Sequence, residues 1–193
     1  MLIDLTLKIT PAMANEAQGN QSRSLVGHLG THFDVMNKEF PLEYTRLKGV
    51  VFDVSSIRER EVASTDLDWS RMEAGMFVAF YTGYIEQEAY GSRTYFAEHP
   101  QLADELIDRL LERGVSIIAV DCAGIRRGRE HTPKDQLCAD RGCFVIENLW
   151  NLKALLPHEK GFVANTYPMC FEGVTGLPCR VIAEVEDSKE QEG

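Results

Sequence analysis

Seven short segments rich in β-branched and aromatic residues are spread along the chain, each bounded by glycine, proline or polar residues. Runs of this length and composition are typical of strands that are buried on one or both faces. The predicted strands are 3–9, 49–56, 76–81, 115–120, 143–146, 161–165 and 180–185. So many strands with few helical segments between them predict an α/β domain with a mixed sheet, not a doubly wound one.

Only one segment has a strong helical periodicity, and it runs from after Pro100 to Gly114. Its apolar residues recur at spacings of three and four, so they share one face of a helix. These residues are Leu102, Leu106, Ile107, Leu110 and Leu111. Shorter helices are predicted at 134–141 and 149–155, and residues 12–24 are small and polar enough to form a loop or flap.

The charge of the chain limits its partners. The formal net charge is −10, from 20 Lys and Arg against 30 Asp and Glu, which disfavours nucleic acid and anionic membranes. No apolar stretch is long enough to span a bilayer and the first residues do not resemble a signal peptide, so we expect a cytoplasmic protein. The length predicts a single domain over residues 1–187, followed by a disordered acidic tail at 188–193.

The densest chemistry lies in residues 28–34, which read His-Leu-Gly-Thr-His-Phe-Asp. His28, His32 and Asp34 offer two imidazoles and a carboxylate, a ligand set that suits Zn, Mn or Fe and leaves positions open for water. On a straight strand the two histidines would lie about 13 Å apart. We therefore expect the chain to curl at Gly30, which tolerates positive φ. The alternative is a strand end with two incidental histidines.

These seven residues resemble the first part of the motif His-x-Gly-Thr-His-x-Asp-x-Pro-x-His, which belongs to the cyclase family of bacterial kynurenine formamidases and isatin-hydrolase-like enzymes. Weaker similarities extend nearly end to end, at 3–6, 49–54, 81–84, 114–121, 145–149, 167–169 and 176–180. The resemblance implies a swivelling β/β/α domain that forms a homodimer or tetramer. It also implies a divalent metal ion, Zn or Mn, and small substrates such as N-formylkynurenine.

The chain departs from this motif after Asp34. The family's final Pro-x-His corresponds here to Met36-Asn37-Lys38. In relatives that histidine serves the catalytic centre. Lys38 can replace it only in part, since it is a strong donor that holds its proton at neutral pH unless burial or a metal lowers its pKa. We therefore consider Lys38 for the stabilisation of an oxyanion.

A second departure concerns the downstream half of the family's site, where a histidine comes about a dozen residues before a glutamate. Glu147 corresponds to that glutamate, and the resemblance implies that it is a metal ligand or the general base. The matching upstream position is Asp135 rather than histidine, while His131 lies four residues earlier. His131, Asp135 and Arg127 are candidates for a second metal or for the substrate, with a solvated charged loop as the alternative for His131 and Arg127.

Two functions follow from these residues. The first is a metal-dependent hydrolase of a small amide, formamide or lactam, in which the ion activates a water molecule. The second is a repurposed relative that binds a small ligand without fast hydrolysis, and the loss of Pro-x-His and of the downstream histidine favours it. Metal content and turnover separate the two.

Overall fold

A mixed sheet of eight strands forms the centre of the computed structural model, which describes residues 1–17 and 27–186. The strands are β1 (Leu2–Asp4), β2 (His32–Asp34), β3 (Arg46–Asp53), β4 (Phe77–Tyr81), β5 (Ile117–Val120), β6 (Phe144–Glu147), β7 (Phe162–Pro168) and β8 (Gly176–Glu184). The α-helices of the described residues are α1 (Pro11–Ala17), α2 (Arg93–Ala97), α3 (Asp104–Arg113) and α4 (His131–Asp140).

The sheet closes on itself. Its strand order is β1-β8-β2-β6-β5-β4-β3-β7, and β7 also pairs with β8, so seven strands form a barrel with β1 added along β8. Strands β3 to β6 are parallel to one another, whereas β1, β2, β7 and β8 pair in antiparallel fashion. Parallel neighbours need crossover connections; α2 and α3 lie between β4 and β5, and α4 lies between β5 and β6.

The central strands are buried on both faces, which explains their nearly continuous apolar sequences. Alternate residues contribute to two apolar clusters. Ile118 and Phe80 pack outside the barrel with the buried face of α3, whereas Ala119 and Phe33 lie inside it. Helix α3 ends at Gly114, which has a φ of 77° and donates its N–H to the last turn, as its sequence predicts.

Most predicted elements are confirmed, and the α/β class with a mixed sheet and few helices is confirmed as well. The first strand is shorter than predicted, because Thr6 forms only an isolated bridge with Leu149. The loop expected at 12–24 contains helix α1 in its described part, and the predicted acidic tail lies outside the described residues. No helix of the described residues is long and apolar enough to cross a bilayer.

Candidate metal centre

The curl predicted at Gly30 is present, with a φ of 74° just before β2. Strand β2 lies between β6 and β8, and the register pairs His32 with Glu147. Two residues that are 115 positions apart in sequence therefore meet across one strand pair. Thr31 holds this arrangement: its hydroxyl donates to the carbonyl of Asn148 at 2.7 Å and accepts the N–H of Leu7 at 2.8 Å.

The predicted ligand set of the motif is brought together. His28 Nδ1 lies 3.1 Å from His32 Nε2 and 3.0 Å from Asp34 Oδ1. His32 Nε2 lies 3.6 Å from the same carboxylate oxygen. One potential ligand atom from each residue is thus within 4.8 Å of the other two, a spacing that one ion can bridge.

A second ligand set lies against the first and consists of Asp34, His131, Asp135 and Glu147. Asp34 belongs to both sets. His131 and Asp135 are one turn apart on α4 and share a face of that helix. His131 Nε2 is 3.3 Å from Asp135 Oδ2 and 3.4 Å from Glu147 Oε1. Glu147 Oε2 also lies 3.6 Å from His32 Nε2, so the two sets form one cluster.

Each imidazole of the cluster has one ring nitrogen that faces the other ligands and one that faces a hydrogen-bond partner outside the ligand sets. His32 Nδ1 is 2.8 Å from the carbonyl oxygen of Gly30, and His131 Nδ1 is 3.1 Å from that of Arg126. A carbonyl only accepts, so Nδ1 carries the proton in each ring. The Nε2 atom of each of these two rings then faces carboxylates. His28 Nε2 faces the hydroxyl of Thr175 at 2.9 Å. Such outward hydrogen bonds are typical of histidines that ligate metals.

Apart from the histidine nitrogens near them, the carboxylates of the cluster have few hydrogen-bond partners. Asp34 Oδ1 and Oδ2, Asp135 Oδ1 and Glu147 Oε1 are buried and form no hydrogen bond within the described residues. A buried charge without a partner is costly. Lone pairs and carboxylate oxygens that converge in this way fit a divalent cation.

Electrostatics lead to the same conclusion. Burial raises the pKa of Glu147 well above its usual range, and Asp34 and Asp135 raise it further. Burial and the charge of Asp34 likewise raise the pKa of Asp135. Burial also favours the neutral form of Asp34, but His32 and His28 outweigh it and hold its pKa low. Three neighbouring carboxylates cannot all be charged unless cations balance them.

Two members of the cluster are partly exposed. The side chains of His28 and His131 are 24% and 28% exposed, whereas those of His32, Asp34 and Glu147 are at most 6% exposed. His28 and His131 are therefore the members of the cluster that solvent reaches among the described residues, while the other ligands are buried.

These imidazoles and carboxylates form a largely buried candidate metal centre within a barrel of mixed strands. The model of the Cyclase family, described as putative cyclase, matches residues 3–126, which is more than half of the chain. The chain belongs to this family, as the resemblance in its sequence predicts. No curated protein is similar enough in sequence to count as a match.

Solved structures share the fold. A potential metal-dependent hydrolase with cyclase activity superposes with a TM-score of 0.76 at 20% identity, covering 97% of this chain and 98% of its own. Isatin hydrolase A from Ralstonia solanacearum superposes with a TM-score of 0.76 at 20% identity, covering 96% of this chain and 92% of its own. A predicted metal-dependent hydrolase from Bacillus stearothermophilus superposes with a TM-score of 0.70 at 21% identity, covering 95% of this chain and 97% of its own. Identities this low establish the fold alone.

Two of the predicted site residues lie outside the cluster. The ammonium of Lys38 is 2.7 Å from Asp140 at the surface. The backbone N–H of Arg127 donates to Gln101, and its side chain lines a separate cavity of about 360 Å³. None of the six residues of the metal cluster lines that cavity.

Proposed function

We propose that this protein is a metal-dependent hydrolase of a small amide, formamide or lactam. One observation carries the proposal: the inward nitrogens of three histidines converge on three buried carboxylates, and four oxygens of these carboxylates form no hydrogen bond within the described residues. Membership of the Cyclase family and the metal-dependent hydrolases among its structural neighbours support the same chemistry.

We assign His28, His32 and Asp34 to one ion. The set formed by His131 and Asp135 with Asp34 is available for a second ion, and Asp34 is the residue that both sets share. Nitrogen and oxygen ligands in these proportions suit Zn or Mn. When bound, such an ion supplies a Lewis acid that activates water and polarises a carbonyl.

Glu147 is the residue that we assign to proton transfer. Its carboxylate lies between His32 and His131, and its Oε1 atom has no hydrogen-bond partner. This oxygen can accept a proton from the attacking water and return it to the leaving nitrogen, which is the usual task of a general base and acid. His131 is the most exposed member of the cluster, and we assign substrate entry to its side.

The oxyanion role considered for Lys38 has no support from its position, because Asp140 binds its ammonium group. The same applies to substrate binding by Arg127, which faces the separate cavity. The ligands of the two sets therefore remain as the groups that orient a substrate.

Assembly into a homodimer or tetramer, as the family resemblance implies, is a further part of the proposal. Tyr167, Met169 and Phe171 are each more than half exposed, and apolar side chains grouped in one short segment are typical of contact surfaces. Light scattering coupled to size-exclusion chromatography measures the assembly directly.

Metal analysis and a substrate screen test the proposed function. Purified protein is dialysed against chelator, reloaded with Zn or Mn and assayed on formamides, lactams and cyclic imides. His32→Ala is expected to lose both metal and turnover, whereas His158→Ala, outside both ligand sets, is expected to keep them. Turnover that survives His32→Ala would refute the site. Stoichiometric metal without turnover on any substrate would favour the ligand-binding relative.

A further inference from the structure

The carbonyl oxygen of Gly30 receives two hydrogen bonds. His32 Nδ1 donates to it at 2.8 Å, and the side-chain nitrogen Nδ2 of Asn148 donates at 3.0 Å. The backbone N–H of Gly30 donates to the hydroxyl of Tyr90 at 2.8 Å. Gly30 has positive φ, so the direction of its carbonyl depends on these contacts as well as on the strand that follows.

Asn148 is itself held by Tyr95. The Tyr95 hydroxyl donates to Asn148 Oδ1 at 2.7 Å, and both side chains are buried. Because Oδ1 must face this donor, the Nδ2 group has to point at Gly30. The ring of Tyr95 packs against Tyr84 and Tyr90, with centroids 5.8 and 5.5 Å away, so the hydroxyl has a fixed position.

The backbone of Asn148 is fixed as well. Its φ is 58°, in the left-handed region that asparagine tolerates better than most residues. Its N–H donates to the carbonyl of Cys122 at 3.0 Å, and its own carbonyl accepts the hydroxyl of Thr31 at 2.7 Å. The side chain therefore starts from a position set by two neighbouring strands.

We propose that Tyr95 and Asn148 are positioning residues for the metal ligand His32. The hydrogen bonds run from Tyr95 through Asn148 to the Gly30 carbonyl, which holds the proton of His32 on Nδ1 and leaves the Nε2 lone pair directed at Asp34 and Glu147. The inference rests on the proposed function of the centre. Groups of this kind orient a metal-binding histidine and select its tautomer.

Three variants separate positioning from general stability. Tyr95→Phe removes only the hydroxyl that orients the amide, and Asn148→Gly removes the amide while preserving a residue suited to positive φ. Tyr84→Phe is the matched control: its ring stacks on Tyr95, but its hydroxyl donates to the carbonyl of Thr94, outside the metal cluster. All three lose one or more buried or partly buried hydrogen bonds.

The first readout needs no metal. In chelator-treated protein at a pH where the ring is neutral, the ¹⁵N chemical shifts of His32 report which nitrogen carries the proton. We expect the Nδ1–H form in the unmodified protein and in Tyr84→Phe, and a larger share of the Nε2–H form in the other two variants. The second readout is the affinity for Zn²⁺, measured by competition with a chromophoric chelator.

Loss of an outer partner of a metal-binding histidine typically weakens metal affinity about 10- to 100-fold. We expect Asn148→Gly to fall in this range, Tyr95→Phe to lose affinity in the same direction, and Tyr84→Phe to bind as the unmodified protein does. If Tyr95→Phe retains both the tautomer and the affinity of Tyr84→Phe, the inference is wrong, whether or not Asn148→Gly folds. If the unmodified protein binds no metal, the proposed function fails, and the tautomer populations still decide this inference.

Discussion

Asp121 provides a sharp test of the electrostatic reasoning outside the metal cluster. It follows β5, is almost fully buried, and accepts hydrogen bonds from the backbone N–H groups of Thr82 and Gly83 and from the Thr82 hydroxyl. Burial raises its pKa to about 6, and these three hydrogen bonds offset the burial only in part. The ordinary value is 3.8.

The sign of the pH effect follows from this difference. Because the folded protein holds the proton more strongly than the unfolded chain, the resulting stabilisation is complete below pH 3.8 and is lost as the pH rises through 6. Between about pH 4.5 and about pH 7.5 the loss from this one group amounts to about 2 kcal/mol. For a chain of this size, that corresponds to about 4–8 °C in melting temperature.

Asp121→Asn isolates this contribution, because asparagine does not titrate and all other groups are shared. The amide also turns a donor towards the N–H of Gly83, which costs about 1–3 kcal/mol at every pH. Urea unfolding at the two pH values gives the free energy of unfolding of both proteins. We expect the advantage of the unmodified protein to shrink by about 2 kcal/mol from the lower to the higher pH.

A difference that does not change with pH would refute the reasoning, since the buried carboxyl would then titrate as it does in the unfolded chain. Thr82→Val is a useful second variant. It removes a donor that favours the charged form of Asp121 and should steepen the pH dependence. Metal content should not change in either variant, because Asp121 belongs to neither ligand set.

Three further predictions concern the metal cluster and its surroundings. Thr175→Val removes the hydroxyl at His28 Nε2 and should weaken metal binding about tenfold or more, as measured by chelator competition; unchanged affinity would contradict the ligand role of His28. Gly27→Ala should lower the free energy of unfolding by more than 1 kcal/mol, because φ is 85° and a Cβ atom would lie 1.8 Å from the carbonyl oxygen of Gly176; a melting temperature equal to that of the unmodified protein would contradict this. Chelation of the metal-loaded protein should lower its melting temperature, since an ion that binds only the folded state stabilises it, and calorimetry with and without chelator measures the change.

The ligand set of residues 28–34 was predictable because it is local. His28, His32 and Asp34 are within seven positions, and the Gly-Thr step between the histidines indicates a curl rather than a straight strand. The second set was harder to predict. His131 stands in a charged stretch that reads as a loop, whereas the structure begins α4 at this residue. The four-residue spacing to Asp135 then becomes one turn of a helix, and both side chains face Glu147.

Tyr95 and Asn148 had no signal of their own in the sequence. Tyr95 lies 53 positions from Asn148, and a tyrosine in a short helix reads as ordinary core. A buried hydroxyl that faces a buried amide is recognised only when both positions are known. The resemblance of 145–149 to the cyclase family included Asn148 without indicating what its side chain contacts.

The sequence by itself determined seven of the eight strands, the main helix and the local metal motif, because each depends on residues that are close along the chain. β-branched runs favour extended backbone, and spacings of three and four favour a helix face. The tertiary structure decided how the barrel closes and which carboxylates face the histidines. Strand β8 pairs with β1, β2 and β7, and the register of β2 against β6 places His32 opposite Glu147. A register shift of one residue would turn Glu147 to the other face of the sheet, so only long-range packing could complete the site.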